Sequence, residues 1–211
     1  MNEIAKIYGK LLKKHKPQGW WPITEPGSLV PVHLGKTPVT DSQIFEVMVG
    51  AILTQNTSWK NVEKAISNLN KKDLISIQKI RDIQKDSLAQ IIKPSGYYNQ
   101  KAENLKLLAD FLIKIPIRSL IKIKTGELRI LLLNLNGIGP ETADSILLYA
   151  FQRPVFVIDT YTKRLFSKKG LCSVNVSYHE LQELFHKSLP KNVKLFKEYH
   201  ALIVAEGKWI S

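Results

Sequence analysis

Residues 131–169, LLLNLNGIGPETADSILLYAFQRPVFVIDTYTKRLFSKK, decide how the rest of the chain is read. An apolar helical segment stops at Asn134-Leu135-Asn136, and a tight turn, Gly137-Ile138-Gly139-Pro140, follows it. A second helical run then extends from Glu141 to Ala150. Two glycines one residue apart supply backbone that tolerates positive φ and lets a neighbouring chain come close. Pro140 suits the first turn of a helix, where its missing N–H costs nothing. The expected product is a helix, a four-residue hairpin and a second helix whose first N–H groups have no partner. Those donors, with the positive end of the helix dipole, attract an anion, and a DNA phosphate fits. For a GxG standing alone, an ordinary αα-hairpin turn is the better explanation.

Beyond the second helix, Gln152-Arg153-Pro154 leads into Val155-Phe156-Val157-Ile158 and then Asp159. An acid directly after four apolar residues is a buried or half-buried carboxylate. Capping the helix from Thr160 to Phe166 would be reason enough for its presence.

The chain has 211 residues, enough for one compact unit or two small lobes. Lysine and arginine number 31 against 18 acids, a net charge of +13 that attracts polyanions in a salt-sensitive way. Many inert basic proteins share that charge. The single cysteine, Cys172, excludes an internal disulfide framework and any four-cysteine zinc or iron–sulfur site. The opening residues, MNEIAKIYGKLLKKHK, are amphipathic and lack the apolar core of a signal peptide. No run of 18 apolar residues exists, so a soluble, cytoplasmic protein is expected.

Residues 2–15 read as an amphipathic helix with Ile4, Ile7, Tyr8, Leu11 and Leu12 on one stripe. From Pro17 to Thr40, five prolines, three glycines and the pair Trp20-Trp21 before Pro22 mark an irregular but ordered loop. The tryptophans either anchor that loop on the core or wall a pocket for a flat ligand. Asp41 or Ser42 is expected to cap the helix Gln43 to Leu53, which is apolar nearly all round and therefore central. A polar turn, Thr54 to Thr57, precedes a helix from Ser58 to Leu69, and one or two short helices fill Leu74 to Ile92. Pro94-Ser95-Gly96 breaks the chain before a long helix from Tyr97 to about Ile113. Glu127 to Leu133 opens the hairpin, and two amphipathic helices, SYHELQELFHKSL and NVKLFKEYHALIVAEGKWI, close the chain. No alternating apolar run exceeds Val155–Ile158, so the class is all-α.

LNGIGPETAD followed by VFVIDTYTKR resembles the helix–hairpin–helix, Gly/Pro-rich loop and aspartate signature of the endonuclease III superfamily of DNA glycosylases. The resemblance covers almost the entire chain. It implies a two-lobed fold with the active-site cleft between the lobes, mapped here to 41–150 and to 1–40 plus 151–211. It makes Asp159 the catalytic carboxylate and Gly137, Ile138, Gly139, Glu141 and Thr142 the phosphate-gripping hairpin. AILTQNT resembles the segment whose glutamine fills the hole left by an extruded base, a role that falls on Gln55. SGYYNQKAENL resembles the segment whose bulky residue wedges into the opposite strand, which falls on Tyr97.

Two departures from the superfamily pattern narrow the resemblance. The position of the Schiff-base lysine is Glu141, which cannot form that adduct, and Lys163 reads as a surface or phosphate-contacting lysine. The sequence ends three residues after Glu206-Gly207-Lys208, without a four-cysteine loop. With WWP, FEVMVGAILTQNT and PSGYYNQKA, the chain looks most like the clusterless bacterial 3-methyladenine glycosylases of endonuclease III type. In that subfamily the base pocket is walled by aromatics, which carry over to Trp20, Trp21, Pro22 and Phe45. The implied activity is that of a monofunctional glycosylase of base excision repair, acting as a monomer on duplex DNA that contains an alkylated purine. It implies no cofactor and no iron–sulfur cluster, with the hairpin carbonyls open to a monovalent cation. Uracil, mismatched thymine or an oxidised pyrimidine are the alternative substrates, and a non-catalytic DNA-binding module is the further alternative.

Overall fold

The computed structural model describes residues 2–208, and all structural statements concern those residues. Asn2 accepts the Ala5 N–H and so starts α1 (Glu3–His15). The proline-rich stretch holds a two-residue antiparallel ribbon, β1 (Ile23–Thr24) with β2 (Pro31–Val32), in which Ile23 faces Val32. The sequence reading misses this ribbon because two residues cannot show alternation.

The central helix, α2 (Asp41–Leu53), buries every residue from Ile44 to Leu53. Its cap is Thr40 rather than Asp41 or Ser42. The Thr40 hydroxyl takes the Gln43 N–H while the Gln43 side chain returns to the Thr40 N–H, a reciprocal box that satisfies two free donors. α3 (Trp59–Lys71), α4 (Ile77–Asp82) and α5 (Lys85–Ile91) follow, and a 3₁₀ turn (Lys93–Ser95) leads into α6 (Tyr98–Lys114). A short α7 (Ile117–Leu120), unanticipated from sequence, precedes α8 (Thr125–Leu133). The second hairpin helix, α9 (Pro140–Ser145), widens into a π-helical turn (Ile146–Ala150). There the Phe151 N–H reaches back five residues to the Ile146 carbonyl at 3.1 Å. The remaining helices are α10 (Thr160–Lys168), α11 (Tyr178–Ser188) and α12 (Val193–Gly207), and the expected extension of α12 into 209–211 lies outside the described residues.

These helices form two groups. α4 and α5 pack on α6 and α3 packs on the 3₁₀ turn, while α1, α10 and α11 gather around α12 or one another. α2 and the π turn run between them, the π turn touching both α2 and α12. The ribbon lies against α2 and α3, so residues 23–32 sit with the first group rather than with the C-terminal helices expected for 1–40. Thr24 N–H donates to the buried Glu46 carboxylate of α2 at 2.7 Å and thereby fixes the loop.

Val155–Ile158 is buried but forms no strand. Buried backbone groups need partners, and α11 supplies them. His186 Nε2 accepts the Phe156 N–H at 2.9 Å and Gln182 donates to the Phe156 carbonyl at 2.7 Å. Phe156 stacks on Phe185 with ring centres 3.9 Å apart, beside Phe196 and Tyr199. That aromatic core holds the segment ending at Asp159 in place.

Candidate active site

The hairpin depends on one glycine in particular. Gly137 takes φ +80°, and a Cβ there would stand 2.0 Å from the Asn104 side chain of α6, so no larger residue fits. Ile138 is buried, and Gly139 leads into Pro140 at the first position of α9. Gln55, just past α2, donates to the Gly137 carbonyl at 2.8 Å and to the Thr142 hydroxyl at 3.0 Å. The glutamine and the hairpin, distant in sequence, are therefore joined. Behind them Asp144, with 0% exposure, accepts from Arg129 at 2.6 and 3.1 Å, from Tyr178 at 2.7 Å and from Gln182 at 2.7 Å. This saturated carboxylate ties α8 and α9 to α11.

Asp159 caps α10. Its Oδ1 accepts both the Thr162 N–H and the Thr162 hydroxyl, each at 2.7 Å. Its Oδ2 lies 3.6 Å from His200 Nε2, too long for a hydrogen bond, so this oxygen keeps free lone pairs at the cleft. Burial opposes its charge, but His200 and the Thr162 donors outweigh burial and hold the carboxyl below the usual range. His200 Nδ1 lies 2.7 Å from the Tyr149 hydroxyl. The other ring nitrogen, Nε2, faces Asp159. The π turn positions Tyr149 for this contact. Glu141, on the first turn of α9, opens into the same cleft, and its carboxyl is pushed up to about 7. Glu141 keeps an exposed surface; partial desolvation at the cleft is the main cause and Asp159 adds to it, against opposing pulls from His200 and Lys163. Lys163, read from sequence as a surface or phosphate lysine, is half-buried and directs its charge at this site.

The cleft has a volume of about 1290 Å³. Trp20, Trp21 and Trp59 line one side, Gln55 and the hairpin another, and Asp159, Tyr161 and His200 the floor. The three indoles meet edge to face, with Trp20 and Trp59 centres 4.9 Å apart. Trp21 is only 5% exposed and packs on Gly50 and on Tyr149 at 5.0 Å, so it anchors the loop as well as lining the cleft. Pro22 and Phe45, expected in the wall, do not line it. Phe45, 1% exposed, faces the core, because a helix apolar all round sends only one face to the cleft.

Tyr97 stands apart from the cleft, 72% exposed and with φ +45°. A bulky side chain in that conformation is unusual and costs energy. The turn that carries it is bolted to α2 by the buried Lys101, whose ammonium donates to the Leu53 carbonyl at 2.8 Å and the Ser95 carbonyl at 2.7 Å. Burial lowers its pKa to about 8. Lys101 thus sets Tyr97 and the Gln55 turn relative to each other.

Residues 49–191 match the family model of HhH-GPD superfamily base excision DNA repair proteins. The chain belongs to that superfamily. A candidate DNA repair glycosylase of Methanocaldococcus jannaschii is 45% identical over 209 residues, 97% of this chain and 87% of that protein. The H. pylori 3-methyladenine DNA glycosylase, solved with 1,N6-ethenoadenine, is 30% identical with a TM-score of 0.73, covering 99% of this chain and 98% of that one. An endonuclease III–DNA complex at 21% identity shares the fold, with a TM-score of 0.74 over 99% of this chain and 87% of its own. The protein is an HhH-GPD DNA glycosylase with an all-α, two-lobed fold.

An HhH-GPD cluster of the four-cysteine kind does not fit this sequence, since Cys172 is its one thiol. No group of three or more potential metal ligands occurs among the described residues. Sequence reasoning missed Trp59 and His200, both in the cleft. Trp59 sits one residue after a helix cap and His200 beside the buried Tyr199, positions that read as helix start and as packing. Gly207 carried a further signal, because a Cβ there would strike Tyr161 at 2.5 Å. The close approach of α12 to α10 that places His200 over Asp159 depends on it.

Proposed function

We propose that this glycosylase is monofunctional and hydrolyses the N-glycosidic bond of alkylated purines such as 3-methyladenine, with Asp159 as the catalytic carboxylate. The observation that carries the reading is the free Oδ2 of a depressed, buried Asp159 at the floor of an indole-walled cleft beside the hairpin. The base must leave the stack to reach it, at a cost of a few kcal/mol that is smaller for a damaged base. The hairpin N–H groups of Gly139, Glu141 and Thr142 hold a neighbouring phosphate. Gln55 exchanges its bonds to Gly137 and Thr142 for the vacated space, and Tyr97 enters the opposite strand.

An N3- or N7-alkylated purine already carries positive charge and departs as a neutral molecule. What remains is to stabilise the oxocarbenium sugar and orient water, which Asp159 Oδ2 serves. Electron-rich indoles favour a cationic ring by about 0.5–2 kcal/mol. The similarity to the H. pylori enzyme supports that substrate class. The reaction consumes only water and needs no cofactor, and a monomer with lobes 41–150 and 1–40 plus 151–211, the ribbon at 23–32 resting against the first lobe, suffices for it. Glu141 in place of an amine nucleophile argues for intact abasic products.

The test is release of free base from methylated and from uracil-containing duplexes, followed by borohydride. Methylpurine release with no trapped protein–DNA adduct is expected. Uracil release alone, or an efficient adduct abolished by changing one lysine, contradicts the reading.

A further inference from the structure

We infer that Glu141 is the proton donor of a two-carboxyl site, and that the cleft therefore also releases uncharged purines such as hypoxanthine. The inference rests on the reading of Asp159 above and widens its substrate range.

The geometry supplies two carboxyls in one cleft with different surroundings. Asp159 spends Oδ1 on the Thr162 cap and presents Oδ2 beside His200, surroundings that favour the charged form. Glu141, an exposed residue on the first turn of α9, lines the same cleft and makes no hydrogen bond or ion pair with any described residue. The charged and titratable groups that act on it are Asp159 and Lys163 from α10 and His200 from α12. Lys60 and Glu63 of α3 and Lys208 after α12 line the rest of the cleft. Near neutral pH a large share of Glu141 is protonated while Asp159 is ionised. Two carboxyls whose surroundings push their pKa values apart divide into an acid and a base.

An alkylated, cationic purine does not need that acid. An uncharged purine does, because without protonation it would depart as an anion. As the bond between C1′ and the base nitrogen breaks, its electron pair goes to the base and the Glu141 proton goes to a ring nitrogen. Water oxygen bonds to C1′, and the proton that water loses passes to Asp159 and on to solvent. Glu141 regains its proton from solvent, so one water is consumed per base released.

The experiment is single-turnover base release by the full chain from a deoxyinosine duplex and from methylpurine DNA, for the wild type and Glu141→Gln, across pH 5.5–8.5, chosen to bracket the Glu141 value of about 7. Melting temperatures are recorded for both proteins. The wild type should release hypoxanthine with a rate that falls as pH rises through about 7. Glu141→Gln should lower that rate by about 100-fold, the scale of a lost general acid, and should abolish the pH limb. Its loss on methylpurine DNA should be at least about ten times smaller, because a pre-charged base needs no donor. Methylpurine release without hypoxanthine release, or equal losses on both substrates at unchanged melting temperature, overturns this inference alone. Release of neither base by a folded wild type overturns it together with the functional reading.

Discussion

Asp144 and Asp159 are both buried aspartates, and they differ in what their oxygens touch. Asp144 accepts four hydrogen bonds from Arg129, Tyr178 and Gln182, and nothing of it faces the cleft. Asp159 spends one oxygen on its cap and leaves the other 3.6 Å from His200 Nε2, a nitrogen with no hydrogen-bond partner among the described residues. The same contrast extends around each residue. The Asp144 side is a closed network, whereas the cleft side holds Trp21 Nε1, Trp59 Nε1 and His200 Nε2, buried nitrogens without a hydrogen-bond partner among the described residues. Burial of a carboxylate therefore does not mark chemistry. Unsatisfied lone pairs and donors converging on one space do, because buried polar groups normally find partners.

The contrast can be broken or sharpened by substitution. Asp144→Ala strands a guanidinium, a phenol and an amide, and should cost about 3 kcal/mol of stability in urea unfolding, the lower end for a broken pair because Arg129 still reaches solvent. Folded protein should nevertheless retain base release at the wild-type rate per active molecule, and a selective loss of rate would put Asp144 in the chemistry. Lys101→Met leaves the Leu53 and Ser95 carbonyls bare and should cost about 2 kcal/mol. Binding to abasic duplex should weaken with it, since the Tyr97 and Gln55 turns lose their common bolt.

Removing one indole is a smaller change. Trp20→Ala or Trp59→Ala should reduce methylpurine release about tenfold, the scale of one cation–π wall, while leaving abasic-DNA binding nearly intact. Trp21 is a poorer probe, because its burial makes packing loss inseparable from wall loss. Phe45→Leu should lower the melting temperature without altering substrate preference.

The smallest effect is a pH dependence. The folded Glu141 carboxyl is raised from 4.5 to about 7, so its contribution to stability is fully present below about 4.5 and is lost as pH rises through about 7. Glu141→Gln should flatten that part of the melting-temperature profile, and an unchanged profile would remove the basis for an elevated Glu141.

Much of this was legible in the sequence because local chemistry demanded it. A GxGP turn needs its glycine where Asn104 crowds it, and a capping aspartate after four apolar residues has to be buried. The Thr40–Gln43 box was equally readable, since its spacing is the signature, yet Asp41 and Ser42 drew the reading away from it. Other features are set by tertiary packing and leave no local trace. Val155–Ile158 looks like a strand and is instead satisfied by α11 side chains. The ribbon is too short to alternate, and the π turn that aims Tyr149 at His200 has the composition of an ordinary buried helix. Resemblance places Phe45 in the pocket, whereas the burial of α2 on all sides turns it inward.

The central claim is that Asp159 Oδ2 acts on the reacting sugar while the rest of the carboxylate only holds α10. Asp159→Asn keeps an N-cap oxygen and the shape of the side chain, so stability should change by less than about 1 kcal/mol. Single-turnover base release from methylpurine DNA by this variant, measured beside its affinity for abasic duplex, separates the two roles. The expected result is a rate lowered by about 100- to 1000-fold, as for loss of a key electrostatic stabiliser, with affinity largely retained. Base release at the wild-type rate by a folded Asp159→Asn protein would contradict the account.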